Sequence, residues 1–170
     1  MKKWFFLLST GLALFMVACK KDKTAGCTAT QTTVVATTAE IDSLHSYFIN
    51  NGITNAIQHE SGAFYTIDSV GTGLNPGICN SVAVTYSGNI FGNPVPFQSY
   101  TDSAGIVFSL GSVIVGWQRV LPELKVGGRI TLYIPPSLGY GSVDKKNGDG
   151  DIIIPKNSYL KFNISLLEVY

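Results

Sequence analysis

The fold is decided by residues 109–134, which have the sequence SLGSVIVGWQRVLPELKVGGRITLYI. Ile114, Trp117 and Leu121 recur at the spacing of one helical face. Pro122 limits this predicted helix to about two turns, because proline disfavours helical geometry in the residue before it. After a pair of glycines, apolar and polar residues alternate as they do in a half-buried strand. The stretch therefore predicts a short helix between strands, with an indole directed into the core.

Alternation of apolar and polar residues predicts further strands on both sides of this stretch. Val82, Val84 and Tyr86 alternate with smaller or polar residues, and the last strand alternates from Leu160 to Leu166. Strands therefore predominate over helices. The pattern predicts an α+β fold, in which an antiparallel sheet is covered on one face by a helix.

A helix and two short strands are predicted ahead of this sheet. Thr37 and Glu40 fit a capping box, and apolar residues follow at helical spacing over residues 41–50. The strands are expected near residues 53–59 and 63–69, on either side of a Ser-Gly turn. We expect this segment to complete an edge of the sheet.

The first residues are typical of an exported protein. A basic start and an apolar run shorter than the roughly 20 residues of a membrane span predict a signal peptide over residues 1–18. Small residues precede Cys19 as in a bacterial lipobox, although Met16 replaces the usual leucine. We expect Cys19 to be lipidated and residues 19–39, rich in Thr and Ala, to form a tether at the membrane. An ordinary secretory signal is the alternative.

Charge and composition argue against several classes of function. The formal net charge is +1, and no basic cluster occurs beyond the signal peptide and tether, so a nucleic-acid-binding surface is not indicated. His45 and His59 are the two histidines, and neither has other ligands at metal-binding spacing. The polar loop 142–151 has part of a calcium-loop spacing but lacks its glycine, so a solvated hairpin loop is expected. No metal and no nucleophile–base motif are predicted.

Several separate blocks of the second half resemble the FKBP-type peptidyl-prolyl isomerases and stand in that family's order. They are VTYSG at 84–88, LG at 110–111, VIVGW at 113–117, IP at 134–135, YG at 140–141 and IP at 154–155. The resemblance covers residues 79–170 and implies an isomerase domain with a bent antiparallel sheet wrapped around one short helix. Residues 40–78 would then be a lead-in of helix and strands.

The chemistry implied by the resemblance is rotation about an X–Pro peptide bond, whose barrier is about 18–20 kcal/mol because resonance makes the C–N bond partly double. No covalent bond forms, so no cofactor is expected. The twisted amide has less charge separation than the planar one, and a dry aromatic pocket favours it. The implied partners are proline-containing peptides or unfolded exported proteins in the bacterial cell envelope, bound by a monomer.

The resemblance also implies roles for particular residues. Trp117 is the expected floor beneath the proline ring, the Ile114 N–H is the expected donor to the substrate carbonyl, and Tyr140 is expected to donate through its hydroxyl. The expected catalytic residues are Tyr86, Phe97, Gln98, Ile114, Trp117, Tyr140 and Phe162. The expected substrate-binding residues are Ile106, Phe108, Val113 and Ile154.

Three residues depart from the family's pattern. Gln98 stands where the family usually has an aspartate, and the lost charge is expected to weaken catalysis. Gly139 replaces a more usual alanine, which loosens the loop, and Ile106 replaces a frequent phenylalanine. The alternatives to a prolyl isomerase are therefore a catalytically weak module that binds proline-containing peptides or a partner, and a purely structural envelope lipoprotein.

The remaining cysteines are predicted to form a disulfide. With Cys19 assigned to lipid, Cys27 and Cys79 are an even pair. Export would place them in an oxidising compartment. The bond would join the end of the tether to the base of the isomerase domain and contribute at most about 4 kcal/mol by loop-closure entropy.

Overall fold

The body of the protein is an antiparallel sheet of seven strands, seen in a computed structural model that describes residues 27–170. The described residues contain nine strands in all. In chain order the nine are β1 Ile57–Gln58, β2 Phe64–Ser69, β3 Ser81–Ile90, β4 Gln98–Tyr100, β5 Ile106–Ser109, β6 Arg129–Ile134, β7 Lys145–Lys146, β8 Ile152–Ile154 and β9 Leu160–Val169. Seven of them, all except β7 and β8, belong to this sheet. The sheet order is β1-β2-β6-β9-β3-β4, and β5 pairs with β3 beside β4. β7 and β8 form a separate hairpin.

Two α-helices pack on this sheet: α1, Thr38–Asn50, and α2, Val115–Val120. α2 continues into a single 3-10 turn, Leu121–Glu123, which contains Pro122. The predicted α+β class is confirmed, and the helix between strands is as short as the proline implies.

One face of the sheet packs against α2. Ile130, Leu132 and Ile134 of β6 are fully buried, and each such side chain contributes about 1.5–3 kcal/mol by leaving water. Gly116 allows α2 to approach closely, since a Cβ there would lie 2.7 Å from the Ile134 Cδ1. The apolar side of the predicted alternation therefore faces α2, but the expectation that β6 is half-buried was wrong. Thr131 and Tyr133 on the other face are buried as well, because that face of the sheet is also covered.

The opposite face of the sheet is covered in part by α1. Phe64 of β2 is paired with Tyr133 of β6, next to Leu132. Successive side chains of a strand point to opposite faces, so Phe64 and Tyr133 face away from α2. Leu44 and Phe48 of α1 are buried against them. The two helices therefore lie on opposite sides of the same sheet.

The capping box predicted at the start of α1 is confirmed. The Thr37 hydroxyl accepts a 3.3 Å hydrogen bond from the Glu40 N–H, and a Glu40 carboxylate oxygen accepts one of 2.8 Å from the Thr37 N–H. The same carboxylate accepts hydrogen bonds from the Ser137 N–H and hydroxyl, at 2.8 and 2.9 Å. Burial pushes the pKa of Glu40 upward, but these hydrogen bonds together outweigh it and lower the pKa.

The two strands of the lead-in differ from their predicted extents. The strand expected over 63–69 is present as β2, and it pairs with β6 inside the sheet. The strand expected over 53–59 is reduced to the two residues of β1. β1 is exposed and lies at the sheet edge with a single neighbour, so few ladder hydrogen bonds hold it.

The described end of the predicted tether is fastened to the domain at three places. Cys27 and Cys79 form a disulfide with Cα atoms 5.7 Å apart, closing a span of 52 residues. The Arg119 Nη1 donates a 2.9 Å hydrogen bond to the Thr32 carbonyl. The Ala36 N–H donates a 2.8 Å hydrogen bond to a carbonyl in the turn before β2.

The signal peptide predicted over residues 1–18 and the lipidation predicted at Cys19 lie outside the described residues. Within residues 27–170, no helix combines the length and the apolar character needed to cross a membrane. Attachment through Cys19 therefore stays a prediction.

Candidate active site

A cavity of about 220 Å³ opens beside α2. Strands β3, β4, β5 and β9 contribute its walls, together with α2, the turn before α2 and the loop after β6. Aromatic side chains supply most of the lining, so the cavity suits an apolar ring. The lining residues are Tyr86, Gln98, Phe108, Ser112, Val113, Ile114, Trp117, Tyr140 and Phe162.

Trp117 is the fixed centre of this cavity. Its indole is 4% exposed and meets three other rings nearly at right angles. The ring centroids of Tyr86 and Phe162 lie 5.3 Å from it, and that of Phe108 lies 6.0 Å from it. Edge-to-face contacts of this kind are each worth about 0.5–1.5 kcal/mol beyond area burial. The indole therefore presents a rigid surface to whatever enters.

Two phenol groups lie in the cavity. Burial, with the neighbouring Tyr140, raises the pKa of Tyr86, and burial raises the pKa of Tyr140. Both hydroxyls therefore remain protonated at neutral pH and can donate hydrogen bonds. The Lys145 Nζ lies 5.1 Å from the centre of the Tyr140 ring, in cation–π contact.

A backbone donor lies at the edge of the cavity. Ile114 is the N-cap of α2, and its carbonyl accepts hydrogen bonds from the N–H groups of Trp117 and Gln118. Among the described residues, no group accepts a hydrogen bond from the Ile114 N–H. The Gln118 side chain fixes this edge by donating to the Val113 carbonyl at 2.7 Å and the Gly111 carbonyl at 3.3 Å. The donor is thus held in place and left free for a ligand carbonyl.

The sequence profile of the FKBP-type peptidyl-prolyl cis-trans isomerases matches residues 75–167, more than half of the chain. The chain belongs to this family. The fold agrees: a peptidyl-prolyl cis-trans isomerase from Pseudomonas syringae superimposes with a TM-score of 0.63 at 27% identity, over 81% of this chain and 98% of that one.

Curated bacterial peptidyl-prolyl isomerases are similar to 64% of the chain. An FKBP-type isomerase FkpA of Buchnera aphidicola is 40% identical over 110 residues, covering 64% of this chain and 41% of the relative. The isomerase Mip of Coxiella burnetii is 34% identical over 109 residues, covering 64% and 45%. The chain thus spans less than half of the length of these relatives.

The FKBP cavity gathers eight of the eleven residues expected from sequence. Phe97, Ile106 and Ile154 are the three that do not line it. Ile106 is paired with Val84 at the edge of the sheet and packs on the core. Ile154 is buried beside a neighbouring cavity.

Phe97 stands behind the cavity wall. Its ring meets Phe162 edge-on, with centroids 5.7 Å apart. A Cβ at Gly88 would lie 2.6 Å from the Phe162 ring and 2.7 Å from the Phe97 ring, so glycine is required where the two rings cross β3. Phe97 therefore supports Phe162, which lines the cavity itself.

Sequence reasoning did not assign two residues that shape the site. Ser112 lines the cavity, and its only signal was its place beside the matched Val113. Gln118 holds the backbone at the cavity edge in place. The only indication of this role in the sequence was that a polar residue occurs one helical turn after Ile114. Neither signal identifies a role without the folded loop.

The FKBP cavity has no carboxylate among its lining residues. Gln98 is exposed at the rim where an aspartate is usual in the family. Across residues 27–170, no group of three or more His, Cys, Asp or Glu side chains is placed to hold a metal ion. The arrangement offers an apolar floor and neutral hydrogen-bond donors, which suits non-covalent binding of a peptide.

Proposed function

We propose that this protein is a peptidyl-prolyl cis-trans isomerase that assists the folding of exported proteins. The observation that carries the proposal is the cavity over Trp117, with a free backbone N–H at Ile114 and the Tyr140 hydroxyl among its lining residues. Membership in the isomerase family supports it.

The residues of the cavity lower the rotation barrier by favouring the twisted amide over the planar one. The proline ring rests on the Trp117 indole, where the surrounding rings exclude water. The planar amide has the larger charge separation and loses more solvation there, so the barrier falls. Donors such as the Ile114 N–H add to this if they align better with the twisted state.

The test is a prolyl isomerisation assay with a proline tetrapeptide and residues 20–170. We expect catalysis that is lost in Trp117→Ala. A fold-preserving control is Trp117→Phe, which keeps an aromatic floor and should retain part of the activity. Absence of catalysis by the folded wild-type protein would contradict the proposal.

A binding module with slow turnover is the second candidate, and Gln98 favours it. Its neutral amide occupies the rim position at which the family usually places a charge. This candidate predicts measurable affinity for proline peptides with little or no catalysis. Turnover of the tetrapeptide separates the two candidates, and calorimetric titration shows whether a protein with little turnover still binds the peptide.

We also propose that the protein is attached to the bacterial envelope through Cys19, as a monomer. The basic start, the apolar run and the small residues before Cys19 support this. The Cys27–Cys79 disulfide supports an oxidising compartment. The Cys19→Ala variant should be absent from the membrane fraction, or it should keep its uncleaved signal peptide. Mature protein that stays with the membrane in that variant would contradict lipidation.

The disulfide itself can be checked by intact mass after alkylation, with and without reductant. We expect two alkylated thiols, from Cys27 and Cys79, only after reduction. Alkylation of both in the unreduced sample would contradict the bond.

A further inference from the structure

A second cavity of about 350 Å³ lies beside the first. It is covered by the β7–β8 hairpin and shares Gln98 and Tyr140 with the cavity over Trp117. The two cavities therefore meet along one wall. The lining residues of the second cavity are Phe97, Gln98, Tyr140, Lys145, Lys146, Ile153 and Ile154.

The second cavity carries positive charge without a balancing acid. Lys145 and Lys146 line it, and no aspartate or glutamate lines either cavity. In residues 27–170 the salt bridge found is between Arg119 and Glu60, so neither lysine is paired. Both lysines are exposed, and the Lys145 Nζ lies over the Tyr140 ring on the wall that the two cavities share.

Asp144 and Asp151 of the hairpin segment form hydrogen bonds with groups that do not line the second cavity. The Asp144 carboxylate accepts a 2.7 Å hydrogen bond from the Lys156 N–H. The Asp151 carboxylate accepts one of 3.3 Å from the Asn147 amide at the hairpin tip. Among residues 27–170, these carboxylates line neither cavity and form no ion pair with Lys145 or Lys146.

We propose that the second cavity is a subsite for an acidic side chain adjacent to the substrate proline. The inference rests on the proposed isomerase function, which places the proline over Trp117. Consecutive residues of an extended peptide are about 3.3–3.6 Å apart along the chain, so the neighbour of the proline reaches the shared wall. Because Gln98 is neutral, that wall does not repel a carboxylate, as an aspartate would. The lysines then favour Glu or Asp over neutral residues.

The experiment compares matched peptides with the full-length chain in detergent. One series has Glu, Gln or Lys before the proline, and the other has the same three residues after it. Exchange between cis and trans forms is followed by NMR. In one of the series we expect kcat/KM for the Glu peptide to exceed that for the Gln peptide about two- to fivefold, the range of exposed ion pairs. The ratio should approach one in 1 M salt, where the Debye length is about 3 Å.

The double variant Lys145→Gln/Lys146→Gln tests the residues themselves. In this variant the ratio of kcat/KM for the Glu peptide to kcat/KM for the Gln peptide should fall to about one. Lys125→Gln is the matched control, because Lys125 is exposed and lines neither cavity, and it should keep the wild-type ratio. If the double variant fails to fold, the salt dependence of the wild-type ratio decides the question.

The outcomes separate the subsite from the catalytic proposal. Equal kcat/KM for Glu and Gln peptides in both series, with catalysis of each, would overturn the subsite alone. If no peptide is turned over, calorimetric affinities decide: a tighter Glu peptide supports the subsite, and equal affinities overturn it.

Discussion

The molecule contains two clusters of aromatic side chains on opposite faces of one sheet. The α1 cluster consists of Tyr47, Phe48, Phe64, Phe91, Tyr133 and Tyr159. The pocket cluster consists of Tyr86, Phe97, Phe108, Trp117 and Phe162. Edge-to-face contacts occur in both at similar distances: the ring centroid of Phe48 lies 5.0 Å from that of Tyr133, and that of Trp117 lies 5.3 Å from that of Phe162. The α1 cluster also contains a stacked pair, Tyr47 and Phe91, with centroids 3.9 Å apart.

The two clusters differ in what lies over their aromatic rings. Helix α1 contributes Phe48 and covers Phe64 and Tyr133, and these three are the buried members of the α1 cluster. There burial, with Tyr47 and Asp68, raises the pKa of Tyr133 to about 12. The pocket cluster opens into a cavity of about 220 Å³. The same side-chain chemistry therefore makes a core buried beneath α1 on one face and a candidate binding site on the other. Four substitutions test this division.

Trp117→Ala should have the largest effect, because Trp117 belongs both to the main core and to the cavity. We expect a loss of about 3–5 kcal/mol in the free energy of unfolding, together with loss of peptide binding. Denaturant titration and calorimetry measure the two effects. Peptide binding by a folded Trp117→Ala variant would contradict the proposal that peptides bind in the cavity over Trp117.

Phe48→Ala should lower the free energy of unfolding without lowering the kcat/KM of the candidate active site. It removes a buried ring from the α1 cluster, which we expect to cost about 3–5 kcal/mol. The kcat/KM of the molecules that remain folded should match the wild type, because Phe48 does not line the cavity. Phe48→Leu is the control, with a smaller stability loss. A large fall in kcat/KM at a temperature where the variant is folded would show that the clusters are coupled.

Glu40→Gln tests the connection between the two faces. Glu40 caps α1 and also holds Ser137, in the turn that precedes Tyr140. The lost charge should reduce stability at pH 7 by about 1 kcal/mol. Because the folded pKa of Glu40 is lowered, its contribution is complete above its ordinary value of 4.5 and is lost as the pH falls through the folded pKa.

Unfolding measured from pH 7 to pH 3 should therefore show an acid-dependent loss in the wild type that is smaller in Glu40→Gln. Ser137→Ala is the matched control, since it removes one donor and leaves the capping box. Identical pH profiles for wild type and Glu40→Gln would contradict the role of the carboxylate.

Gln98→Asp should have the smallest effect on stability, because residue 98 is exposed at the rim. We expect kcat/KM for neutral peptides to rise severalfold, which is less than about 1.4 kcal/mol in the barrier. The preference for Glu peptides should weaken, since the new carboxylate lies on the wall shared by both cavities. Gln98→Asn is the neutral control. Unchanged kcat/KM in Gln98→Asp would show that this residue does not limit the rate.

The local elements of the fold were predictable because their signals are local. Pro122 determined the length of α2, the alternation after Gly128 determined β6, and Thr37 with Glu40 determined the start of α1. Of the eight expected residues that line the cavity, five lie inside matched blocks of sequence: Tyr86, Val113, Ile114, Trp117 and Tyr140.

The arrangement between elements was not predictable in the same way. The periodicity of α1 shows that one side is buried, but not which face of the sheet receives it. Phe97 can contact Phe162 only because Gly88 of β3 has no side chain where the two rings meet. The second cavity exists only because the β7–β8 hairpin lies next to Phe97, Gln98 and Tyr140. Such contacts join distant residues, so spacing along the chain does not reveal them.

The disulfide has a consequence for mechanical force and proteolysis. Tension applied at the N-terminal side passes from Cys27 through the sulfur bridge to Cys79, just before β3. It bypasses the chain between those residues, including α1 and β2. For the same reason, a single protease cut within residues 28–78 leaves both fragments covalently joined, so a nicked domain would stay attached to the segment that ends at Cys27.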